Sequence, residues 1–449
     1  MNLHKLLLAR AEAGRPVGVG LIGAGKFGTM FLAQARSTPG LHVIAIADLE
    51  VGRARAACAA AGWPDEQAGA VSFEAAGRSG GTHLTDDAAA LVAAGGIEVV
   101  VEATGDPAAG IRHALAAIDA GRHIVMVNVE ADALAGPLLA RRAERAGVVY
   151  SLAYGDQPAL ICEQVDWARA AGLEVVCAGK GTRYLPAFHQ STPDTVWDNF
   201  YGTITAERAA ETGLNARMFN SFIDGTKSAI EMAAVANATG LEPAPEGLSF
   251  PPCAARDLPH VCRPRSEGGQ LAHKGTVEVV SSLERDGRPV PDNVQWGTYV
   301  TFEAPTDYAA RCFAEYGLVT DRSGRYAALW RPFHLIGLEL GISVASAALR
   351  GEPTGAPTAF RADVVATAKR DLEAGETLDG EGGYTVYGRL MPAADSLAAA
   401  RLPLGLAHGV RLEAPVAAGA TLGWADVAID EGAEAVRVRR EMEAAFGGG

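Results

Sequence analysis

The amino-acid sequence predicts an α/β protein in which a doubly wound parallel sheet precedes an α+β domain and a small β-rich domain. Three observations support this prediction. Apolar strand patterns alternate with helical patterns over residues 1–155, which is typical of a parallel sheet with helices on both faces. The chain has 449 residues, more than a single domain of roughly 100 to 200 residues needs. Proline clusters and short strand patterns follow where the alternation ends.

The elements are predicted from apolar periodicity and from glycine and proline breaks. In the first domain we predict helices at 3–12, 29–36 and 107–120 and strands at 17–22, 41–47, 98–102 and 123–127. Beyond it we predict helices at 158–170, 225–238, 333–350 and 431–445 and strands at 174–178, 362–366, 385–390 and 410–414. The predicted domains are 1–155, 156–355 and 356–449, with Pro353 and Pro357 marking the second boundary.

Composition argues against several classes of protein. The formal net charge of −14 does not suit nucleic-acid binding, which needs clustered Lys and Arg. The apolar fraction of 49 % and the charged fraction of 20 % predict a compact folded protein. The sequence has no uncharged apolar run of about 18 residues and no secretory pattern at its start, so we expect no membrane association and a cytoplasmic location.

The segment Gly23–Gly28 reads GAGKFG, a G-x-G-x-x-G motif directly between a predicted strand and a predicted helix. Each glycine has an expected role: Gly23 allows a tight turn, Gly25 lets the backbone approach a pyrophosphate, and Gly28 lets helix and strand pack closely. The helix N-terminus then faces the negative charge. A Rossmann-type dinucleotide site is therefore expected, with contacts from Gly23, Ala24, Gly25, Lys26, Phe27 and Gly28.

Asp48 follows the second strand about twenty residues after the motif, where a carboxylate accepts the hydroxyls of the adenosine ribose and repels a 2′-phosphate. This position favours NAD. Arg53 and Arg55 lie nearby and would bind a 2′-phosphate if the loop folded back, so NADP stays open as the alternative cofactor.

Two further strands end in polar residues at the edge of the sheet where ligands bind in doubly wound folds. Thr104 and Gly105 are expected to contact the nicotinamide ribose, and Asn128 and Glu130 the nicotinamide or the substrate. Helix capping explains the same residues equally well, because each pair directly precedes or begins a predicted helix.

Polar side chains after the cofactor domain predict the substrate side. Hydride transfer at an alcohol or ketone needs a group that takes or gives the hydroxyl proton, and a lysine suits this task. Lys180, at a predicted strand end between glycines, is our first choice, although a solvated lysine in a turn has the same pattern. Lys227 and Glu231 are four residues apart and share a helix face, a spacing that also stabilises helices without any catalytic role. The predicted catalytic set is Lys180, Lys227, Asp156, Asp224 and Glu231.

A divalent cation, Mg or Mn, is the second cofactor to consider, because several carboxylates are predicted at this side. Asp156, Glu130, Asp224 and Glu231 offer the oxygen ligands that such ions prefer. Spacing alone does not bring them together, so the metal site is left unknown.

Several segments together resemble the homoserine-dehydrogenase-like oxidoreductases that include the 1-deoxy-D-xylulose 5-phosphate reductoisomerase-like enzymes. These segments are GLIGAGKFGTM, EATGDPAAG, HIVMVNVEAD, YSLAYGDQPA, AGKGT, FIDGTKSAIEMAAVANATGL and RPFHL. The C-terminal segments VVATAKRDLEAGETLD and LPLGLAHGV resemble an SAF (β-clip) domain. The resemblance implies an NAD(P)-dependent enzyme with a Rossmann domain, a catalytic and dimerising α+β domain and an SAF module.

We therefore expect an NAD(P)-dependent oxidoreductase that acts on a small hydroxylated or keto substrate, such as a ketose phosphate, in a cleft between domains. One alternative is a homoserine-type dehydrogenase of a hydroxy or amino acid. Another is a regulator that binds the dinucleotide without turnover. A homo-oligomer is also expected.

Overall fold

A computed structural model describes residues 2–200, 205–207, 209 and 214–447. The chain forms two compact units, Met1–Leu160 with His334–Thr358 and Ile161–Phe333 with Ala359–Gly449. The helices are α1 (Leu3–Glu12), α2 (Lys26–Ala35), α3 (Val51–Ala60), α4 (Phe73–Ser79), α5 (Ala88–Ala93), α6 (Pro107–Asp119), α7 (Val129–Arg145), α8 (Gln157–Ala170), α9 (Val196–Asn199), α10 (Ala216–Ile223), α11 (Thr226–Thr239), α12 (Leu258–Val261), α13 (Asp307–Glu315), α14 (Gly341–Arg350), α15 (Ala393–Ala398) and α16 (Glu434–Phe446).

The strands of the described residues belong to four sheets. They are β1 (Val17–Ile22), β2 (Leu41–Ala47), β3 (His83–Thr85), β4 (Val99–Glu102), β5 (His123–Met126), β6 (Tyr150–Leu152), β7 (Glu174–Thr182), β8 (Thr276–Ser281), β9 (Thr298–Glu303), β10 (Tyr326–Arg331), β11 (Ala362–Ala368), β12 (Thr377–Asp379), β13 (Val386–Pro392), β14 (His408–Leu412) and β15 (Val427–Ala428). Short 3-10 turns lie at 186–190, 255–257, 265–267, 404–406 and 424–426.

The sheet of the first unit has the strand order β3-β2-β1-β4-β5-β6, and every neighbouring pair is parallel. This order is that of a Rossmann fold, whose strand order reverses between β1 and β4. Helices pack on both faces, so β1 is buried along its whole length. The structure confirms the predicted fold class.

Helix α14 belongs to the core of the first unit. Leu340 and Val344 pack with the apolar residues of β1 and α2. The sequence predicts a helix over 333–350 within a second domain ending at 355. The structure differs because the helix begins at Gly341 and its apolar face is buried against the first sheet.

The second unit holds the other three sheets. The largest has the order β10-β9-β7-β8, in which β7 and β8 run parallel and β9 runs antiparallel to both of its neighbours. Strands β11 and β13 form an antiparallel pair, and β12, β14 and β15 form a small antiparallel sheet. Helix α11 packs against β11 and β13 and against β8, so it joins the larger sheet to the C-terminal strands.

Among the residues that the structure describes, no helix is long and apolar enough to span a bilayer.

Candidate functional site

The glycine-rich segment forms the turn between β1 and α2. Gly23 has φ of +96°, and a Cβ at this position would lie 2.6 Å from the carbonyl oxygen of Ala103. A Cβ on Gly28 would overlap the carbonyl oxygen of Gly23. The two glycines therefore allow the tight turn and the close packing of helix on strand that the motif predicts. The helix itself begins at Lys26, three residues earlier than expected.

Gly25 is different, because a Cβ there would have no heavy atom within 4 Å. It is the N-cap of α2, it has φ of −73°, and no side chain caps the helix. The amides of the first helical turn lack partners within the helix and carry partial positive charge. Open space beside uncapped amides is the arrangement that accepts a phosphate group.

Asp48, directly after β2, is only 8 % exposed. Its Oδ2 accepts the Ala24 N–H at 2.9 Å, and its Oδ1 accepts the Glu50 N–H at 3.0 Å. The carboxylate is thereby fixed beside the glycine turn. Each oxygen keeps a further lone pair for a ribose hydroxyl. The Arg53 guanidinium lies 3.8 Å from Oδ1 and also pairs with Glu50 at 2.6 Å.

The ends of β4 and β5 are joined through side chains. Asn128 Nδ2 donates to the Asp106 carbonyl oxygen at 2.8 Å and to Thr104 Oγ1 at 3.3 Å, while its Oδ1 accepts the Ala131 N–H at 3.0 Å and caps α7. Asn128 therefore caps a helix and holds the adjacent loop, in which Gly105 has φ of +75°. Glu130 lies in the first turn of α7 and is half-buried.

Sequence reasoning missed three buried groups near these strands. Glu102 ends β4 with no exposure, and its Oε1 accepts the Thr104 hydroxyl at 2.6 Å and lies 3.1 Å from His113 Nδ1. Tyr150 donates its hydroxyl hydrogen to Asp132 Oδ1 at 2.8 Å. Burial raises the pKa of Asp132 to about 7 and that of Tyr150 well above its usual value. Glu102 was taken only as the end of an apolar strand.

In the second unit, Lys180 and Glu231 form a buried ion pair in which Lys180 Nζ donates to Glu231 Oε2. Their exposures are only 6 % and 4 %. The expected strand end was wrong, because β7 continues to Thr182 and Lys180 pairs within the sheet. The flanking glycines serve packing: a Cβ on Gly179 would overlap the Glu278 carbonyl, and one on Gly181 that of Val294.

The remaining predicted residues fall in different surroundings. Asp224 is buried beside α11, where its Oδ1 accepts the Thr226 N–H at 2.9 Å and its Oδ2 lies 2.8 Å from Lys369 Nζ. In the part of the chain that the structure describes, its carboxylate contacts Thr226 and Lys369 and not Lys180 or Glu231. Lys227 is half-buried in the first turn of α11. Asp156 belongs to the first unit, where its Oδ1 accepts the Gln157 N–H at 2.8 Å.

Lys369 was not predicted. It is 2 % exposed in its side chain and donates to the carbonyl oxygens of Ser191 at 2.6 Å and Gly383 at 2.7 Å as well as pairing with Asp224. Lys369 and Asp224 therefore hold several loops of the second unit together. Within the described ranges, no three His, Cys, Asp or Glu side chains converge as metal ligands would.

Residues 155–340 match the family model described as "Oxidoreductase DRL, catalytic domain". The match covers less than half of the chain. It confirms the prediction that the protein is an oxidoreductase. A search of curated proteins found no match.

Solved structures resemble the chain only weakly. An NAD binding oxidoreductase from Klebsiella pneumoniae is 22 % identical with a TM-score of 0.28, over 38 % of this chain and 43 % of that one. An inositol dehydrogenase homolog from Azotobacter vinelandii, complexed with NAD+, is 19 % identical with a TM-score of 0.29, over 46 % and 49 %. Myo-inositol dehydrogenase from Lactobacillus casei, in complex with NAD(H) and myo-inositol, is 17 % identical with a TM-score of 0.28. That match covers 40 % of this chain and 50 % of that one. The chain thus spans half or less of each structure's length.

Proposed function

We propose that the protein is an NAD-dependent oxidoreductase that transfers hydride to or from a small hydroxylated or keto substrate. The observation that carries this proposal is the open, uncapped start of α2 at Gly25, with the Asp48 carboxylate fixed beside it. The amides would hold the pyrophosphate, and Asp48 would accept the ribose hydroxyls. A buried carboxylate also disfavours a 2′-phosphate, so NAD is proposed over NADP.

The bound dinucleotide would supply or accept the hydride. The proton would be handled by Lys180, whose Nζ gives a proton to the carbonyl oxygen during reduction and takes one from the hydroxyl during oxidation. Glu231 holds the ammonium in one position through the buried hydrogen bond. Burying an unpaired ammonium costs several kcal/mol of desolvation energy. The Glu231 carboxylate offsets this cost for Lys180 by pairing with it.

The finer predictions remain proposals. We retain the ketose phosphate as the first substrate to test and a homoserine-type hydroxy or amino acid as the second. The SAF-like character of the C-terminal strands, a domain limit at 155 and a homo-oligomeric state are likewise proposed from the sequence. The family match to residues 155–340 supports the oxidoreductase class.

The test combines cofactor binding with turnover. Calorimetric titration with NADH and NADPH should show tighter binding of NADH. Absorbance at 340 nm should then change with one class among polyols, ketose phosphates and hydroxy amino acids, assayed with and without magnesium or manganese. Absence of binding of either dinucleotide at millimolar concentration would refute the proposal.

Lys180→Ala separates the proton-transfer role from cofactor binding. We expect the loss of at least about a hundredfold in turnover, the usual contribution of a positioned acid or base, with NADH affinity unchanged. Lys274→Ala is the matched control, since Lys274 pairs with Glu267 and Glu303 at a more exposed place in the same unit. Full activity of Lys180→Ala would reassign the proton transfer to another residue, with Lys227 as the next candidate.

A further inference from the structure

A cavity lies in the second unit between the start of α11, strand β13 and the segment 246–250. Its volume is about 220 Å³. It is lined by His189, Gly225, Ala229, Glu246, Leu248, Phe250, Tyr387, Gly388, Arg389 and Leu390. Ala229 and Glu231 are two residues apart on α11, so their side chains lie about 200° apart around the helix. The cavity therefore lies on a different helix face from the Lys180–Glu231 pair.

Aromatic rings form one wall of this cavity. The Tyr387 ring stacks on the His189 ring at 4.4 Å and 22°, and the Tyr184 ring stacks on Phe250 at 3.9 Å and 15°. His189 Nδ1 lies 2.7 Å from the Asp224 carbonyl oxygen, which only accepts, so this nitrogen carries the hydrogen. Nε2 then accepts the Tyr184 hydroxyl at 2.9 Å. Because burial lowers the pKa of His189, the ring is neutral at pH 7 and part of a fixed, flat wall.

Phe250 is held in a backbone conformation that side chains rarely adopt. Its φ is +51°. The Glu278 carboxylate accepts the Phe250 N–H at 3.2 Å and the Ser249 N–H at 3.1 Å, and these bonds fix the segment. A non-glycine residue in this region costs of order 1–3 kcal/mol and tends to occur at ligand sites. The wall of the cavity is thus preorganised at an energetic cost.

The cavity also contains a positive charge, that of the Arg389 guanidinium, which has no carboxylate as an ion-pair partner among the described residues. Arg389 is half-buried and donates to the Glu246 carbonyl oxygen at 3.2 Å. The Glu246 side chain is exposed, so solvent screens its charge. The charges of Arg389 and Lys369 both reach His189, where they help to lower its pKa.

We propose that this cavity binds a small organic anion, with a carboxylate or phosphate on Arg389 and a flat apolar body on the Tyr387–His189–Phe250 wall. Its volume lies below the roughly 300–1,000 Å³ of pockets for drug-sized ligands, so the ligand is small. An arginine guanidinium forms paired, charge-assisted hydrogen bonds with both carboxylates and phosphates. The site is independent of the proposed dehydrogenase function.

Binding of four probes to the purified full chain tests this inference by calorimetry and by ligand-observed NMR. Benzoate and phenyl phosphate carry both parts of the ligand, benzamide lacks the charge, and inorganic phosphate lacks the flat body. We expect benzoate or phenyl phosphate to bind at least tenfold more tightly than benzamide and inorganic phosphate. The stronger of the two distinguishes a carboxylate from a phosphate ligand. Equal binding of all four, or of none at millimolar concentration, would overturn the proposal.

Two variants locate the binding. Arg389→Gln should weaken the preferred anion at least tenfold, and Leu248→Trp should weaken it by filling the space beside the wall. Arg411→Gln is the control, because Arg411 is an exposed arginine of β14 in the same unit and does not line the cavity. Melting temperatures like that of the parent show that the variants fold. Unchanged affinity in both cavity variants would place the anion elsewhere and refute the assignment.

Discussion

The sharpest prediction concerns two glycines of the β1–α2 turn that alanine should affect in opposite ways. At Gly25 an added Cβ meets no atom within 4 Å, and φ of −73° suits any residue. Alanine lowers the entropy of the unfolded chain, worth about 0.4–1 kcal/mol, and is a poorer N-cap than glycine by a similar amount. The free energy of unfolding of Gly25→Ala should therefore stay within about 1 kcal/mol of the parent value.

Gly25→Ala should instead weaken dinucleotide binding. The methyl group of Gly25→Ala would occupy the space through which the pyrophosphate reaches the helix amides. A hydrogen bond to a charged group contributes about 1.5–3 kcal/mol, so losing one weakens NADH binding by at least about tenfold. Gly28→Ala, whose methyl overlaps the Gly23 carbonyl oxygen, should instead destabilise the fold by about 1–3 kcal/mol.

Calorimetric titration with NADH and urea denaturation of each variant measure the two effects separately. Gly77→Ala in α4 is the control, because a Cβ there is also free of contacts and lies outside the motif. It should bind NADH as tightly as the parent and raise the free energy of unfolding by about 0.4–1 kcal/mol, because alanine favours a helix more than glycine does. A Gly25→Ala protein that folds and binds NADH as tightly as the parent would refute the pyrophosphate assignment.

Two further predictions concern buried charge. Burial raises the pKa of Asp132 to about 7, so the unfolded chain loses this proton at a lower pH than the folded protein does. The free energy of unfolding should therefore fall as the pH rises from about 4 to 7, by up to about 4 kcal/mol. Asp132→Asn should remove this decline, which urea denaturation of the parent and the variant at pH 5 and pH 8 measures. An equal loss of stability in the two proteins between these pH values would contradict the reasoning. Arg439 and Asp363 form a buried pair with hydrogen bonds of 3.0 and 2.6 Å, so Asp363→Asn should cost about 3–5 kcal/mol by leaving the arginine charge underpaired. The side chain of Arg440 is 38 % exposed, so Arg440→Gln should lower the free energy of unfolding by less than about 1 kcal/mol. Similar losses of stability in Asp363→Asn and Arg440→Gln would contradict this reasoning.

Much of the first unit was predictable because its signals are local. Strands β1 and β2 were predicted to the residue, since a parallel strand buried on both faces leaves a continuous apolar run in the sequence. The glycine turn was equally clear. Asp48 was placed correctly after β2, and only its hydrogen bond to Ala24 needed the tertiary structure.

The second unit was less predictable because its decisive contacts join distant segments. Gly179, Lys180 and Gly181 have the composition of a turn, yet they lie within β7, where the neighbouring backbones leave no room for a Cβ at either glycine. Glu231 was paired with Lys227 by helical spacing, whereas the structure brings it to Lys180, 51 residues away in the chain. No periodicity in a sequence encodes such a separation.

The sequence alone determined the Rossmann-type parallel sheet and the glycine turn between β1 and α2, because strand burial, helix starts and glycine conformations act over a few residues. The tertiary structure decided which charged side chains pair with each other, as Lys180 does with Glu231. It also decided which side chains line the cavity beside His189 and Tyr387. His189 lies about 180 to 200 residues before Lys369, Tyr387 and Arg389, and the four form one region only in the folded chain, where α11 packs against β11 and β13. Electrostatic and packing energies depend on distance in space, and folding alone sets that distance.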